Sequence, residues 1–293
     1  MKNWISAFRL RTLPLATSGI ILGGALADFR FPSIILLLIL TTTLLQICSN
    51  LANDLGDFEK GADKNRKGEK RMVSEGLISP KAMKMAVGIS AVLGLIAGSC
   101  AVWFSPADPL VKAGIFVLGI CSIIAAITYT MGKISYGYRG LGDVFVVIFF
   151  GLVPVVTTKL LLGATFSYYD LLPALALGSL ASSVLSVNNI RDLKQDKSTG
   201  KKTIAVRLGP EKARNYHACL ISFPFLLVAG YFMHTEQFNI LVALPLISLV
   251  LILPSALKVL NNDDEILLDA QLKFHALGAT LFAILLSVAI HYA

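Results

Sequence analysis

Charge is scarce in this chain. Only 15% of its 293 residues are Asp, Glu, Lys or Arg, where soluble domains carry about a quarter. A soluble globular body is therefore a poor reading. Cysteine is scarce as well. Cys48, Cys100, Cys121 and Cys219 are scattered, and no two have the spacing of a metal or redox motif. All four lie in or beside apolar segments, as small packing residues do. Histidine supplies no obvious base: His217, His234, His275 and His291 stand apart from every polar cluster. There is no low-complexity tail, and residues 1–293 read as a single integral domain.

Long apolar runs are present instead. About 20 apolar residues cross the hydrocarbon core of a bilayer. Nine segments qualify, near 5–27, 32–52, 82–104, 111–131, 141–163, 170–190, 213–234, 238–259 and 268–291. The first lacks a small-residue cleavage site and is longer than a secretory leader, so it is expected to stay as a span. The predicted fold is thus all-α, an integral membrane protein of nine transmembrane helices.

A net charge of +8 raises the question of nucleic acid, but its distribution answers it. With the N-terminus in the cytoplasm, the connections after spans two, four, six and eight are also cytoplasmic. Those regions and the N-terminus hold every Lys and Arg except Arg30, Lys112 and Lys159. This is the positive-inside pattern. It predicts a bilayer partner and no nucleic acid, with a bacterial-type inner membrane as the default location.

Two polar clusters interrupt the apolar pattern. One reads Asn50-Leu-Ala-Asn53-Asp54-Leu-Gly-Asp57, followed by Gly61-Ala-Asp63. The other reads Asn188-Asn189-Ile-Arg191-Asp192-Leu-Lys-Gln-Asp196, followed by Gly200-Lys201-Lys202-Thr203. Each ends an even-numbered span, so both face the same side, and their leading aspartates are 138 residues apart. On a helix, Asn50, Asp54 and Asp57 form one stripe, and Asn188, Asp192 and Asp196 nearly another. Like charges so close repel, and a hard divalent cation such as Mg²⁺ offsets that repulsion through oxygen ligands. Asp54, Asp57, Asp63, Asp192 and Asp196 are the candidate metal ligands. Basic residues follow both clusters: Arg66, Lys67, Lys70 and Arg71 after the first, Lys201 and Lys202 after the second. Acids and bases together suit a metal–diphosphate complex, with metal on some oxygens and Lys/Arg on others. A lone Asp at a helix end is more often a cap; two similar clusters on one membrane side are not explained that way. The acidic island at 261–265 has no such basic company and reads as a solvated loop.

The run Asn50-x-x-Asn53-Asp54-x-x-Asp57-x-x-x-Gly61-x-Asp63 resembles the first motif of the UbiA-type intramembrane prenyltransferases. The run Asp192-x-x-x-Asp196-x-x-x-Gly200-Lys201-x-Thr203 resembles the second. Within that superfamily the chain is most similar to the menaquinone-pathway branch. The paired Asn50/Asn53, the stretch Thr203-Ile-Ala-Val-Arg207-Leu-Gly209 and the segment Tyr138-Arg139-Gly140-Leu141-Gly142-Asp143 carry that similarity. It departs at Asp143, where Glu is expected, at Leu10, where Pro is common, and around Lys133–Ser135, where prolines are expected. The resemblance implies nine helices around a central cavity, with a cytoplasmic cap over the acid motifs. It implies Mg²⁺ bridging the aspartates to a polyprenyl diphosphate, an apolar tunnel for the isoprenoid, and dihydroxynaphthoate as the aromatic acceptor. Asn50, Asn53, Arg71, Asn188, Asn189, Lys201 and Lys202 are expected at the diphosphate, and Tyr129, Lys133 and Arg139 at the acceptor. Rival readings are a sister prenyltransferase acting on hydroxybenzoate, a haem precursor or a sugar phosphate, and an ion-coupled transporter. A transporter would place its ionisable groups near the bilayer midplane; here they gather at one face.

Overall fold

The computed structural model describes residues 2–62, 71–133 and 135–293. Among these every regular element is helical. In chain order they are α1 (Lys2–Phe8), α2 (Leu13–Ala25), α3 (Pro32–Glu59), α4 (Pro80–Phe104) and α5 (Pro109–Thr128). Then come α6 (Gly142–Leu161), α7 (Tyr168–Arg191), α8 (Leu193–Ser198) and α9 (Ile204–Leu208). Last are α10 (Pro210–His234), α11 (Ile240–Asn261) and α12 (Glu265–Tyr292). Local chemistry starts many of them. Pro32, Pro80, Pro109 and Pro210 stand in the first turn, where the missing N–H costs nothing. Ser79 accepts from the Ala82 N–H at 3.2 Å and Asp108 from the Leu110 N–H at 2.8 Å. Asp264, in the acidic island, caps α12 through the amides of Ile266 and Leu267.

Eight of these helices are long and apolar enough to cross a membrane. The expected first span differs: it is split. Arg9 adopts left-handed backbone angles (φ 50°, ψ 61°), which ends α1. The next helix, α2, has 13 residues, about 20 Å at 1.5 Å per residue and shorter than a hydrocarbon core of about 30 Å. The break is held from outside, because the Asn50 side-chain amide donates to the Phe8 carbonyl at 2.9 Å and to the Thr12 hydroxyl at 3.1 Å. The Phe8 carbonyl is one of the acceptors that a helix C-terminus leaves unmet. Trp4, Ala7 and Phe8 then lie on a cluster formed by Leu51, Leu55, Met72, Val73 and Met83.

The bundle has α7 at its centre, with most of its residues buried, while α5 is almost entirely on the outside. Many buried residues of α7 are small: Ala174, Ala176, Gly178, Ser179, Ala181, Ser182 and Ser183. In a bilayer, helices gain nothing by hiding apolar surface from lipid tails, so close backbone approach through small residues holds them together. Helix α7 contacts α6, α10 and α12; α12 also packs on α2 and α11, and α3 on α4. The outer surfaces carry bare apolar side chains such as Met85, Trp103, Leu110, Leu226, Ile240 and Val250, as a lipid-facing belt requires.

Candidate active site

The two polar clusters come together at one end of the bundle. Gln195, within the second, donates from its side-chain amide to the Ala62 carbonyl, just past the first, at 3.0 Å. Thr130, after α5, donates to the Ala52 carbonyl at 3.0 Å and contacts the Asn53 amide oxygen at 3.2 Å. Between them lies a polar chamber of about 200 Å³. Asn53, Asp57, Arg71, Tyr129, Asn188, Asp192, Asp196 and Lys201 all line it. Arg9, Arg11, Thr12, Gln46, Thr130 and Gln195 complete its polar wall.

Each carboxylate has a cation at hand. Asp57 is buried at the end of α3; Tyr138 donates to its Oδ1 at 2.8 Å and Arg71 to its Oδ2 at 3.0 Å. Arg191 grips Asp192 with two bonds, at 2.6 and 2.7 Å, and donates to the Asn188 amide oxygen at 2.6 Å. The same guanidinium reaches Asp269 of α12, whose other oxygen lies 4.0 Å from Arg11. Lys201 stands 3.6 Å from Asp196. Such fork contacts fix geometry as well as charge.

Other candidates are placed elsewhere. Asp54 is buried but turns away from the chamber. Its Oδ2 accepts from the Met72 N–H at 2.9 Å and its Oδ1 from the Val73 N–H at 3.1 Å. It therefore shapes the chain return that delivers Arg71. Asn50 holds the α1–α2 break and lines the apolar cavity below. Asn189 is buried and lines neither cavity. Lys202 and Arg139 are exposed; the Lys202 N–H donates to the Tyr138 carbonyl at 2.9 Å, and Arg139 reaches the exposed Lys133 carbonyl at 3.4 Å. Asp63, Lys64, Arg66, Lys67 and Lys70 lie outside the described residues.

Several contributors carried little sequence signal. Tyr138 is an aromatic residue in a loop, and nothing in its neighbours announces a carboxylate 81 positions upstream. Asp269 carries a clearer signal, because a carboxylate at the start of an apolar run asks for a partner.

Below the chamber, a second cavity of about 320 Å³ runs between α3, α4, α5 and α6. Leu38, Leu45, Leu95, Ile115, Phe149 and Leu161 typify its walls. Tyr129 borders both spaces. Burial, and after it the nearby carboxylates Asp143, Asp57 and Asp196, push its phenol above the usual range, so it stays a hydroxyl donor at neutral pH. Gly137 and Gly142 make room for it, since a Cβ on either would meet the Tyr129 ring or hydroxyl at 2.9 to 3.1 Å.

The chamber offers Mg²⁺ a suitable donor set, because Asn53, Asp57, Asn188, Asp192 and Asp196 present oxygen. Among the described residues no three His, Cys, Asp or Glu side chains are grouped to hold an ion alone. Mg²⁺ bound with a phosphate needs only one or two carboxylates, the rest being water and phosphate oxygen. The fit is therefore to an ion shared with a phosphorylated ligand.

A helical membrane bundle with a charged chamber beside an apolar cavity is shaped to accommodate an amphiphile. The chain belongs to the UbiA prenyltransferase family, whose profile matches residues 13–278. It is 46% identical over 222 residues to the 1,4-dihydroxy-2-naphthoate octaprenyltransferase of Escherichia coli (strain K12), covering 74% of this chain and 72% of that protein. To the protein so named from Haemophilus influenzae it is 40% identical over 261 residues, covering 85% and 84%. Among solved structures, a UbiA homolog from Archaeoglobus fulgidus bound to DMAPP and Mg²⁺ superposes with a TM-score of 0.66 at 15% identity, covering 99% of this chain and 100% of that one. An apo UbiA homolog from Aeropyrum pernix K1 gives 0.69 at 14% identity, covering 94% and 96%. These two share the fold.

Proposed function

We propose that the chain transfers a polyprenyl group from polyprenyl diphosphate to 1,4-dihydroxy-2-naphthoate, releasing diphosphate and carbon dioxide and leaving demethylmenaquinol. One observation carries the acceptor assignment: identity of 46% and 40%, over most of the chain, to relatives that bear that name. The shape of the site supports the donor. A charged chamber of about 200 Å³ opens on an apolar cavity of about 320 Å³, matching a diphosphate joined to an isoprenoid.

In this reading Mg²⁺ would be held by one or two of Asp57, Asp192 and Asp196, with Asn53 or Asn188 and phosphate oxygens completing its ligands, and Asp63 is a further candidate. When bound, the ion neutralises charge that develops on the leaving diphosphate. Arg71 and Lys201 hold phosphate oxygens and stabilise the same charge. Asp54 positions Arg71 through the backbone of residues 72 and 73. Exposed Lys202, Lys133 and Arg139 lend the mouth a positive field that draws in anionic substrates. Tyr129 donates a hydrogen bond to the acceptor. The membrane interior keeps water from the allylic cation. The chamber faces the cytoplasm, in a bacterial-type inner membrane, because Arg9, Arg11, Arg71 and Lys201 line it and basic residues are retained on that side.

The test uses purified protein in proteoliposomes with radiolabelled octaprenyl diphosphate. Dihydroxynaphthoate, 4-hydroxybenzoate, a haem precursor and a sugar phosphate are offered in turn. Label is expected in the naphthoate product alone, and a chelator is expected to stop it until Mg²⁺ is restored. Transfer to another acceptor and none to naphthoate would overturn the assignment. Undiminished turnover in chelator would remove the metal.

A further inference from the structure

The two cavities share part of their walls. Gln46, Asn53, Tyr129, Val146, Phe150 and Leu185 line both. These residues form a neck: guanidinium, carboxylate and amide groups stand on one side of it, and aliphatic and aromatic surface on the other. A ligand that fills both spaces must put the join between its charged head and its apolar tail here. In a prenyl diphosphate that join is the allylic C–O bond.

Two of the neck residues are aromatic, and both are held in place. Phe150 sits in a π-helical turn, Val147–Leu152, within α6. Such turns are rare and concentrate at functional sites. The turn is clamped on both sides. A Cβ on Gly19 of α2 would meet Pro154 at 2.6 Å and the Phe150 carbonyl at 3.2 Å; one on Gly151 would meet the Ala174 carbonyl of α7 at 2.4 Å. Phe150 therefore has little freedom to withdraw from the neck. The other aromatic residue, Tyr129, is packed edge-on against Tyr136, with ring centroids 5.3 Å apart, and Tyr136 stacks on Phe145 at 3.9 Å.

We infer that Phe150, which lines the neck together with Tyr129, is a catalytic residue that shields the reacting allylic carbon and decides whether the acceptor or water captures it. The inference rests on the proposed transfer reaction. When the C–O bond breaks, its electron pair leaves with the diphosphate and the allylic carbon becomes cationic. An aromatic ring attracts a cation electrostatically, more strongly where water is excluded. Held there, the carbon bonds to the acceptor ring, which loses its carboxylate as carbon dioxide. Without the ring, water bonds to it instead and loses a proton, giving prenyl alcohol.

The test tracks labelled prenyl diphosphate in proteoliposomes and counts prenyl alcohol against prenylated acceptor. Phe150→Leu keeps an apolar side chain and removes the ring. It is expected to raise the alcohol-to-product ratio about tenfold or more, the rate equivalent of one lost cation–π contact out of water. The KM for prenyl diphosphate should hold, since head and tail contacts remain. Phe150→Trp restores a ring and should return the ratio towards wild type. An unchanged ratio in Phe150→Leu overturns the inference, whether the total rate is preserved or uniformly lowered. The wild-type acceptor panel is scored separately. If it selects another acceptor the naphthoate assignment fails, and the alcohol ratio of the variants is then read with that acceptor.

Discussion

Among the residues of the first cluster, spacing made Asp54 and Asp57 look alike, and folding makes them different. Asp57 faces the chamber with Tyr138 and Arg71 on its two oxygens. Asp54 spends both oxygens on backbone amides. Removing Asp54 leaves those two buried donors unmet, each costing about 1–3 kcal/mol. Asp54→Ala is therefore expected to lower the unfolding midpoint in detergent and to lose transfer because Arg71 is no longer delivered. Asp57→Asn keeps a side chain of the same shape. Its midpoint should fall less than that of Asp54→Ala, because the amide oxygen can still accept a hydrogen bond although a buried ion pair is weakened. Transfer should fall by about 10²–10³, as when a charged stabilising contact is lost. Paired midpoint and rate measurements separate the two. A wild-type midpoint with no activity in Asp54→Ala would make it a direct ligand; full activity in Asp57→Asn would remove Asp57 from the site. The stripe of acids was legible because helical periodicity is local. Which acid turns inward was not, because that depends on a chain return 14 to 19 residues later.

At the level of the helices, apolar runs marked eight spans because length and hydropathy are summed over many residues. The broken first segment was hidden, since the break depends on Arg9 adopting left-handed angles and on an amide from Asn50. The tight contact between α6 and α7 was equally hidden, although Gly151 and Gly178 are plain in the chain. Their role appears only in the partner's backbone: a Cβ on Gly151 would fall 2.4 Å from the Ala174 carbonyl, and one on Gly178 would fall 2.8 Å from the Val147 carbonyl. Backbone cannot yield as a flexible side chain does. Gly151→Ala should therefore cost about 1–3 kcal/mol, the usual range for overpacking, read as a lower unfolding midpoint. Gly230→Ala is the matched control. Its Cβ would meet only Leu172 Cδ1 at 3.9 Å, so its midpoint should hold or rise slightly, since Ala favours the helix. Equal midpoints for both variants would show that α6 and α7 can separate freely.

For the molecule as a whole, the arrangement of charge sets which way the bundle sits. The chamber end gathers Arg9, Arg11, Arg71, Arg139, Lys201 and Lys202. The other end keeps Arg30, Lys112 and Lys159, and Lys159 is neutralised by Asp170 at 2.7 Å. Lys and Arg are retained on the cytoplasmic side during insertion, so the chamber end is expected to face the cytoplasm, where a soluble aromatic acid reaches it. Helix α5 provides a ruler, because Ala107 precedes it and Lys133 comes after it, one at each end of the bundle. In a variant whose four native cysteines are replaced, Lys133→Cys should react with a membrane-impermeant maleimide only in inside-out vesicles. Ala107→Cys should react only in right-side-out vesicles or intact spheroplasts. The reverse pattern would place the chamber outside and leave the positive loops on the wrong side. Labelling of both from one side would mean that α5 does not cross. Because α3, α4 and α5 pack on one another and α3 carries Asp57, the side assigned to Lys133 assigns the acid-lined chamber with it.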